Sequence, residues 1–454
     1  MMPMNRLLFI ALCLPMCLQA QVSLKPANQK ASLLDIYQQA LANDPTLASA
    51  LSANKAAQEI IEQGKALYRP TVNLNAALNR TQSEIAFNNV TSNFPRVAGK
   101  ANFEGYNYNL EIRQPIYRKQ NLVQMDQSVT QVSQADKQYH QSQQNLILRT
   151  TQAYFDVLIA QDRIDLIGAQ KAAILSQLEQ AKATFEVGTA TITDMNEAQA
   201  RYDLIVSQEI AAINEYDIAK RAIQALTGDV PNQLAPAKSD IKVIQPIQTM
   251  QEWQEVAGQN NLTIQLQQDA LKLAEQEVEL ANAGHLPTLD AVASYANNYT
   301  NGGLNGFGTD VNNAVIGLQL QIPIYQGGAV SSRARQAVLN KQRAQEEVTL
   351  ARRNTDLETQ RAYLNLSTTI AQVKALDQAL ISSQTQLDST KLGYEVGVRT
   401  SVDVLNAQQQ LFSAKRDLLQ ARYNYLVNII RLKSAAGLVA EADLQEINQQ
   451  LLTE

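Results

Sequence analysis

Hydrophobic positions along this chain follow two periods, which alternate in a fixed order. Val72, Leu74, Ala76 and Leu78 alternate with Asn73, Asn75, Ala77 and Asn79, and Tyr106, Tyr108, Leu110 and Ile112 alternate with Asn107, Asn109, Glu111 and Arg113. Farther on, Ile316, Leu318, Leu320 and Ile322 alternate with Gly317, Gln319, Gln321 and Pro323, and a weaker run passes from Leu289 through Ala291 and Ala293 to Tyr295. A period of two puts one set on each face of a sheet. Elsewhere the period lengthens. Leu146, Thr150, Ala153, Val157, Ala160, Ile164, Ile167, Lys171, Ile174, Leu178, Ala181 and Phe185 step by alternating four and three, the heptad seam of a coiled coil. Phe155, Ile159, Leu166 and Ala173 add a partial second seam, so this helix has neighbours on more than one side.

Residues 118–186 hold no proline and one glycine, Gly168. About 68 residues at 1.5 Å each make a helix on the order of 100 Å long, more than a compact domain needs. The pattern recurs over about 329–395. Helical stretches at about 32–66, 192–227, 249–283 and 401–436 are each half as long. Two halves stacked end to end match one long helix, so each unit supplies two full-length struts around a tube.

The recurrence is a tandem duplication. Phe185-Glu186-Val187-Gly188, followed by Thr191, Asp194, Ala198 and Gln199, is matched by Tyr394-Glu395-Val396-Gly397, followed by Thr400, Asp403, Ala407 and Gln408. The shift is constant at about 209 residues, and it also maps Thr227-Gly228 onto Ala436-Gly437. A similar shift pairs Pro115-Ile116-Tyr117 with Pro323-Ile324-Tyr325, and Pro70-Thr71 answers to Pro287-Thr288. The first repeat is 21–227 and the second 249–437. Each runs helix, β-hairpin (about 70–117 and 287–325), then a long helical hairpin reversing at Gly188 or Gly397, where glycine supplies the positive φ. A proline-bearing connector, 228–248, joins them, and a tail, 438–454, has no counterpart in the first repeat.

The strand segments are long enough to span an outer membrane. Tyr68, Tyr117, Tyr295, Tyr299 and Tyr325 lie near their ends, where an aromatic girdle would sit. A soluble sheet with one buried face is the plainer alternative. Four strands cannot close a barrel, and hydrocarbon tolerates no open sheet edge, so a spanning sheet must borrow strands from copies of the chain. Asn- and Gly-rich loops at about 84–102 and 299–310 then lie outside the cell.

The N-terminus supports export. Arg6, the apolar run Leu7–Leu18 and Leu18-Gln19-Ala20 read as a signal peptide over 1–20, with lipidation of Cys17 as a less favoured alternative. Both cysteines, Cys13 and Cys17, fall within it, which suits an oxidising compartment. The formal charge of −5 and the lack of a basic stripe argue against nucleic acid as a partner. His140 and His285 have no ligand cluster around them in sequence, so no metal or other cofactor is expected. No nucleophile–base pair or phosphate loop points to an enzyme.

Gly284-His285-Leu286-Pro287-Thr288-Leu289-Asp290, Leu320 through Gly328, Ala153-Tyr154-Phe155-Asp156-Val157-Leu158 and Ala421-Arg422-Tyr423-Asn424-Tyr425-Leu426-Val427 together resemble the TolC family of outer-membrane efflux and secretion channels. The resemblance covers nearly the whole chain beyond the leader. It implies a membrane α+β fold: a homotrimer whose twelve strands, four per chain, form one transmembrane β-barrel continued by a coiled-coil helical tunnel in the periplasm. It also implies docking to a periplasmic adaptor (membrane fusion) protein and to an inner-membrane pump or ABC transporter, with outer-membrane lipid around the barrel. By the same resemblance the tunnel is expected to close at its tip and to open by an iris-like untwisting of its helices. Drug efflux and protein secretion both stay open, as does a pore-less soluble coiled-coil scaffold.

The same resemblance assigns residues. Tyr394 bonds Asp194, and Arg399 bridges to Thr193 or Asp194, within or between subunits, as a gate latch. Asp403 faces the pore as a ring of carboxylates that favours cations, and like charges at close range raise some of their pKa values. The family has a second aspartate one turn on, where this chain carries Asn406. Glu197, at the matching point of the first repeat, is a candidate to compensate. The turns at Gly188 and Gly397 are where an adaptor would make contact.

Overall fold

The computed structural model describes residues 30–85, 99–189, 191–238, 241–303 and 307–452. The expected leader with Cys17, and parts of both expected outer loops, lie outside the described residues. One element order occurs twice: two helices, two strands, two helices. The first set is α1 (Leu33–Asn43), α2 (Pro45–Ala66), β1 (Thr71–Ile85), β2 (Gly99–Tyr117), α3 (Lys119–Glu186) and α4 (Ile192–Thr227). The second is α5 (Met250–Asn260), α6 (Leu262–Ala283), β3 (Thr288–Thr300), β4 (Thr309–Gln321), α7 (Ala329–Glu395) and α8 (Ser401–Ala435). A last helix, α9 (Glu441–Asn448), lies in the tail.

The stretches read as single helices over 32–66 and 249–283 are each interrupted once. Pro45 disfavours helical backbone at the residue before it. Asp44 is accordingly extended, and its carboxylate takes the Thr46 N–H at 2.7 Å to cap α2. Asn261 does the same for α6 through the Thr263 N–H at 2.9 Å. A side-chain oxygen here satisfies a donor that a helix start would otherwise orphan. The second Asp44 oxygen accepts from Arg149, halfway along α3.

That midpoint is where the main core lies. Leu33, Ile36, Tyr37 and Ala40 of α1 meet Leu146, Tyr154 and Phe155 of α3 and Ile223 and Leu226 at the end of α4. Hence α1–α2 and α4 are laid end to end along α3. In the second set Trp253 and Ala257 join Leu366 and Ile370 of α7 and Leu426 and Ile430 of α8 in the same core. The connector and the tail wrap this level: Lys238 N–H donates to Gln450 C=O at 2.9 Å and Leu452 N–H to Pro236 C=O at 2.8 Å. The Tyr154 hydroxyl, fully buried, donates to the Ala235 carbonyl at 2.8 Å, and burial pushes its pKa upward.

The strands form one antiparallel sheet in the order β1-β2-β3-β4. Val72 sits opposite Ile112, Leu74 opposite Leu110 and Leu78 opposite Tyr106. Leu110 in turn faces Tyr295, and Tyr295 faces Ala314. The period of two therefore carries every apolar set to the same side. Asn73, Asn75, Asn107, Asn109, Glu111 and Arg113 share the other side, beside Ser294 and Gln319. On the apolar side Leu74 is 68% and Ile316 90% exposed. Tyr106 stacks on Tyr299 with ring centroids 4.9 Å apart. Both outermost strands, β1 and β4, have a free edge among the described residues.

Candidate functional site

The two helical hairpins reverse by the same local structure. At the first, Gly188 takes φ 77°, its N–H meets the Phe185 carbonyl at 2.9 Å, and the Thr189 N–H meets the Thr184 carbonyl at 2.9 Å. At the second, Gly397 takes φ 78°, with Gly397 N–H on Tyr394 C=O at 3.0 Å and Val398 N–H on Gly393 C=O at 2.9 Å. This paired pattern closes a helix C-terminus through a left-handed residue, which is why glycine stands at both places.

The returning helices open with matching caps. The Thr191 hydroxyl accepts the Asp194 N–H at 3.3 Å, and Asp194 Oδ2 takes the Thr191 N–H at 3.1 Å and hydroxyl at 2.8 Å. Asp403 Oδ2 takes the Thr400 N–H at 2.9 Å and hydroxyl at 3.0 Å. Both are capping boxes, with a negative charge favoured at the helix N-terminus. The backbone and side-chain bonds from Thr400, with the Arg399 charge nearby, hold the Asp403 carboxyl below the usual carboxylate range. Within one chain, then, the bonding opposes the upward shift that like charges around a ring would impose.

Tyr394 is half-buried against the cluster of Leu387, Val404, Ala407 and Leu411. The Arg399 side chain lies over Gly393 so closely that a Cβ there would stand 2.7 Å from Arg399 Cγ. Thr193 is exposed beside Asp194 at the other tip. The Asp194 carboxylate bonds Thr191, and among the described residues no bond within the chain carries Tyr394 or Arg399 to it. Glu197 and Asn406, from the two repeats, do come together. Arg201 donates to Glu197 Oε1 at 3.2 Å and to Asn406 Oδ1 at 2.8 Å. The Glu197 charge is thereby paired. Sequence reading missed Arg201 and Gly393. Gly393 carried one available signal, because the duplication sets it against Thr184 of the first repeat.

No helix among the described residues is long and apolar enough to cross a membrane, and no group of three or more His, Cys, Asp and Glu among them is placed to hold a metal ion. What meets lipid is the sheet. An apolar outward face with unpaired edges, set on helices on the order of 100 Å long, defines an outer-membrane channel subunit with a helical tunnel in the periplasm. A soluble rod would leave the exposed face of Leu74, Leu78 and Ile316 without purpose. Comparison with known proteins agrees. The outer membrane efflux protein family matches residues 36–229 and 253–438, and the chain belongs to that family. It is 34% identical to outer membrane protein TolC of Vibrio cholerae, covering 96% of this chain and 98% of that protein. It is 28% identical to the proteases secretion protein PrtF of Dickeya chrysanthemi, over 92% and 91% of the two chains. The Campylobacter jejuni CmeC outer membrane channel shares the fold, with a TM-score of 0.76 over 99% of this chain and 97% of that one, at 16% identity.

Proposed function

We propose that this chain forms the outer-membrane exit duct of a tripartite efflux pump or type I secretion system. Three copies supply twelve strands and enclose a tunnel through which drugs or proteins leave the cell. The observation that carries this reading is the four-stranded sheet whose apolar face looks outward while, among the described residues, both edges lack partners. In hydrocarbon such edges must be paired, and copies of the same chain offer matching strands. Energy comes from an inner-membrane pump or ABC transporter, coupled through a periplasmic adaptor that meets the turns at Gly188 and Gly397. Membership of the outer membrane efflux protein family supports efflux, and a relative named for protease secretion supports protein export.

Gating belongs to the tips. Tyr394 and Arg399 of one hairpin reach Asp194 and Thr193 across the closed end, between subunits, and Asp403 rings the opening. Asp194 leaves its Oδ1 for this contact, since Oδ2 already serves Thr191. A shielded charge-assisted bond contributes about 1.5–3 kcal/mol, so three copies hold a gate shut and yet yield to adaptor contact. The full-length protein purified in detergent and fused into planar bilayers should give discrete cation-selective channels. A water-soluble monomer without conductance would overturn the reading.

A further inference from the structure

Just above the tips, α4 and α8 are joined by a cationic fork. Arg201 Nη1 donates to Gln409 Oε1 at 2.8 Å, while Nη2 donates to Asn406 Oδ1 at 2.8 Å and to Glu197 Oε1 at 3.2 Å. Glu197 lies one turn back on the same helix, so it orients the guanidinium. Asn406 and Gln409 lie one turn apart on the neighbouring helix, so the planar fork grips that helix at two points. The Arg201 side chain is 22% exposed and that of Glu197 33%, which shields the group partly from water.

Beside the fork, Leu405 leaves its own hairpin. It is 2% exposed and packs with Ile167, Ile174, Leu178, Ala198 and Ile205 of the first hairpin. Val404, one residue earlier, packs instead with Leu387 and Leu411 of its own. Adjacent side chains of α8 thus plug into two different hairpins. A partly open pocket of about 130 Å³ lies beside the plug, lined among others by Ile174, Ile205, Leu405 and Gln408.

We infer that Arg201 and Leu405 form a clasp inside each protomer, which pins α8 to the first hairpin and must release before the tips part. Asn406 belongs to this clasp and not to the ring at the pore. The inference rests on the channel reading above. Both grips on α8 are neutral amides, weaker acceptors than carboxylates; the contact is therefore built to let go. Opening breaks the fork and withdraws Leu405. Closing restores both without any partner chain.

The test compares the wild-type full-length protein with Arg201→Ala, Arg201→Lys and Asn406→Asp in planar bilayers. Arg201→Ala shifts the closed–open balance toward open by about tenfold, with oligomers as heat-resistant as wild type. Arg201→Lys, which keeps the charge but loses the fork, falls between. Asn406→Asp gives the fork a charged acceptor, tightens the clasp and lowers conductance. A strong cation-ward shift in Asn406→Asp with unchanged conductance would return this residue to the pore ring and overturn the clasp. A second measurement stands apart from conductance. Gln408→Cys, buried between the hairpins at 6% exposure in wild type, should react faster with an impermeant maleimide when Arg201→Ala is added. Equal labelling with and without Arg201 overturns the clasp whatever the bilayers show. Wild-type protein that never conducts defeats the channel reading instead.

Discussion

Substituting Leu74→Arg should prevent the channel from assembling stably, whereas Asn75→Arg, one residue along, should be tolerated. Leu74 is 68% exposed in the single chain and lies opposite Leu110, which lies opposite Tyr295, so it falls inside the apolar belt of all three strands. Arginine on the lipid face near the midplane costs about 2–4 kcal/mol per site. Three chains repeat it, for about 6–12 kcal/mol per assembly, which matches the whole stability of a typical domain at about 5–15 kcal/mol. Asn75 faces Asn109 on the polar side, between Asn73 and Ala77, where a guanidinium keeps its water. The assay is the fraction of heat-modifiable oligomer in outer-membrane extracts, with the urea midpoint of that oligomer as the quantitative readout. Equal yields and midpoints for the two variants would mean that the sheet has no lipid side, and the barrel argument would fail.

Replacing Tyr394 with Phe together with Arg399→Ser should raise single-channel conductance, and unchanged conductance would remove the latch. Asp403→Ala should reduce cation selectivity, read as a shift of reversal potential. Because the Asp403 pKa is depressed by Thr400, its charge and its contribution to the cap are present above the ordinary carboxylate value of about 3.9. They are lost only as pH falls below that value, so selectivity that fades well above pH 4 would contradict the bonding. Asp44→Ala removes a helix cap and strands Arg149. It should destabilise the chain by about 1–2 kcal/mol, measured as a lower urea midpoint.

The helices were legible because their seams are long and free of proline: the expected span 118–186 and the observed Lys119–Glu186 nearly coincide. The weakest strand signal, from Leu289 to Tyr295, still marks β3, since its partners on both sides share the phase. The interruption at Asp44 shows in the sequence as an Asp-Pro pair, but the apolar period continues through it and masks the break. Thr191 with Asp194, and Thr400 with Asp403, have the spacing of a capping box, and both form one. The Arg201 fork was not legible. Its acceptors Asn406 and Gln409 stand 205 and 208 residues away, and only the docking of one hairpin on the other brings them near. Nor could a single sequence show that Glu197 is already paired.

The free edges of the sheet set a parity rule for closure. Running antiparallel, β4 of one subunit meets β1 of the next, and each presents lipid-facing residues at every second position. A slip of one residue at that seam would turn Asn73, Asn75 and Asn79 toward the acyl chains and hide Leu74 and Leu78 from them. Neighbouring subunits can therefore shift against each other only in steps of two residues, which confines the cylinder to a few discrete staggers and so to a few discrete widths.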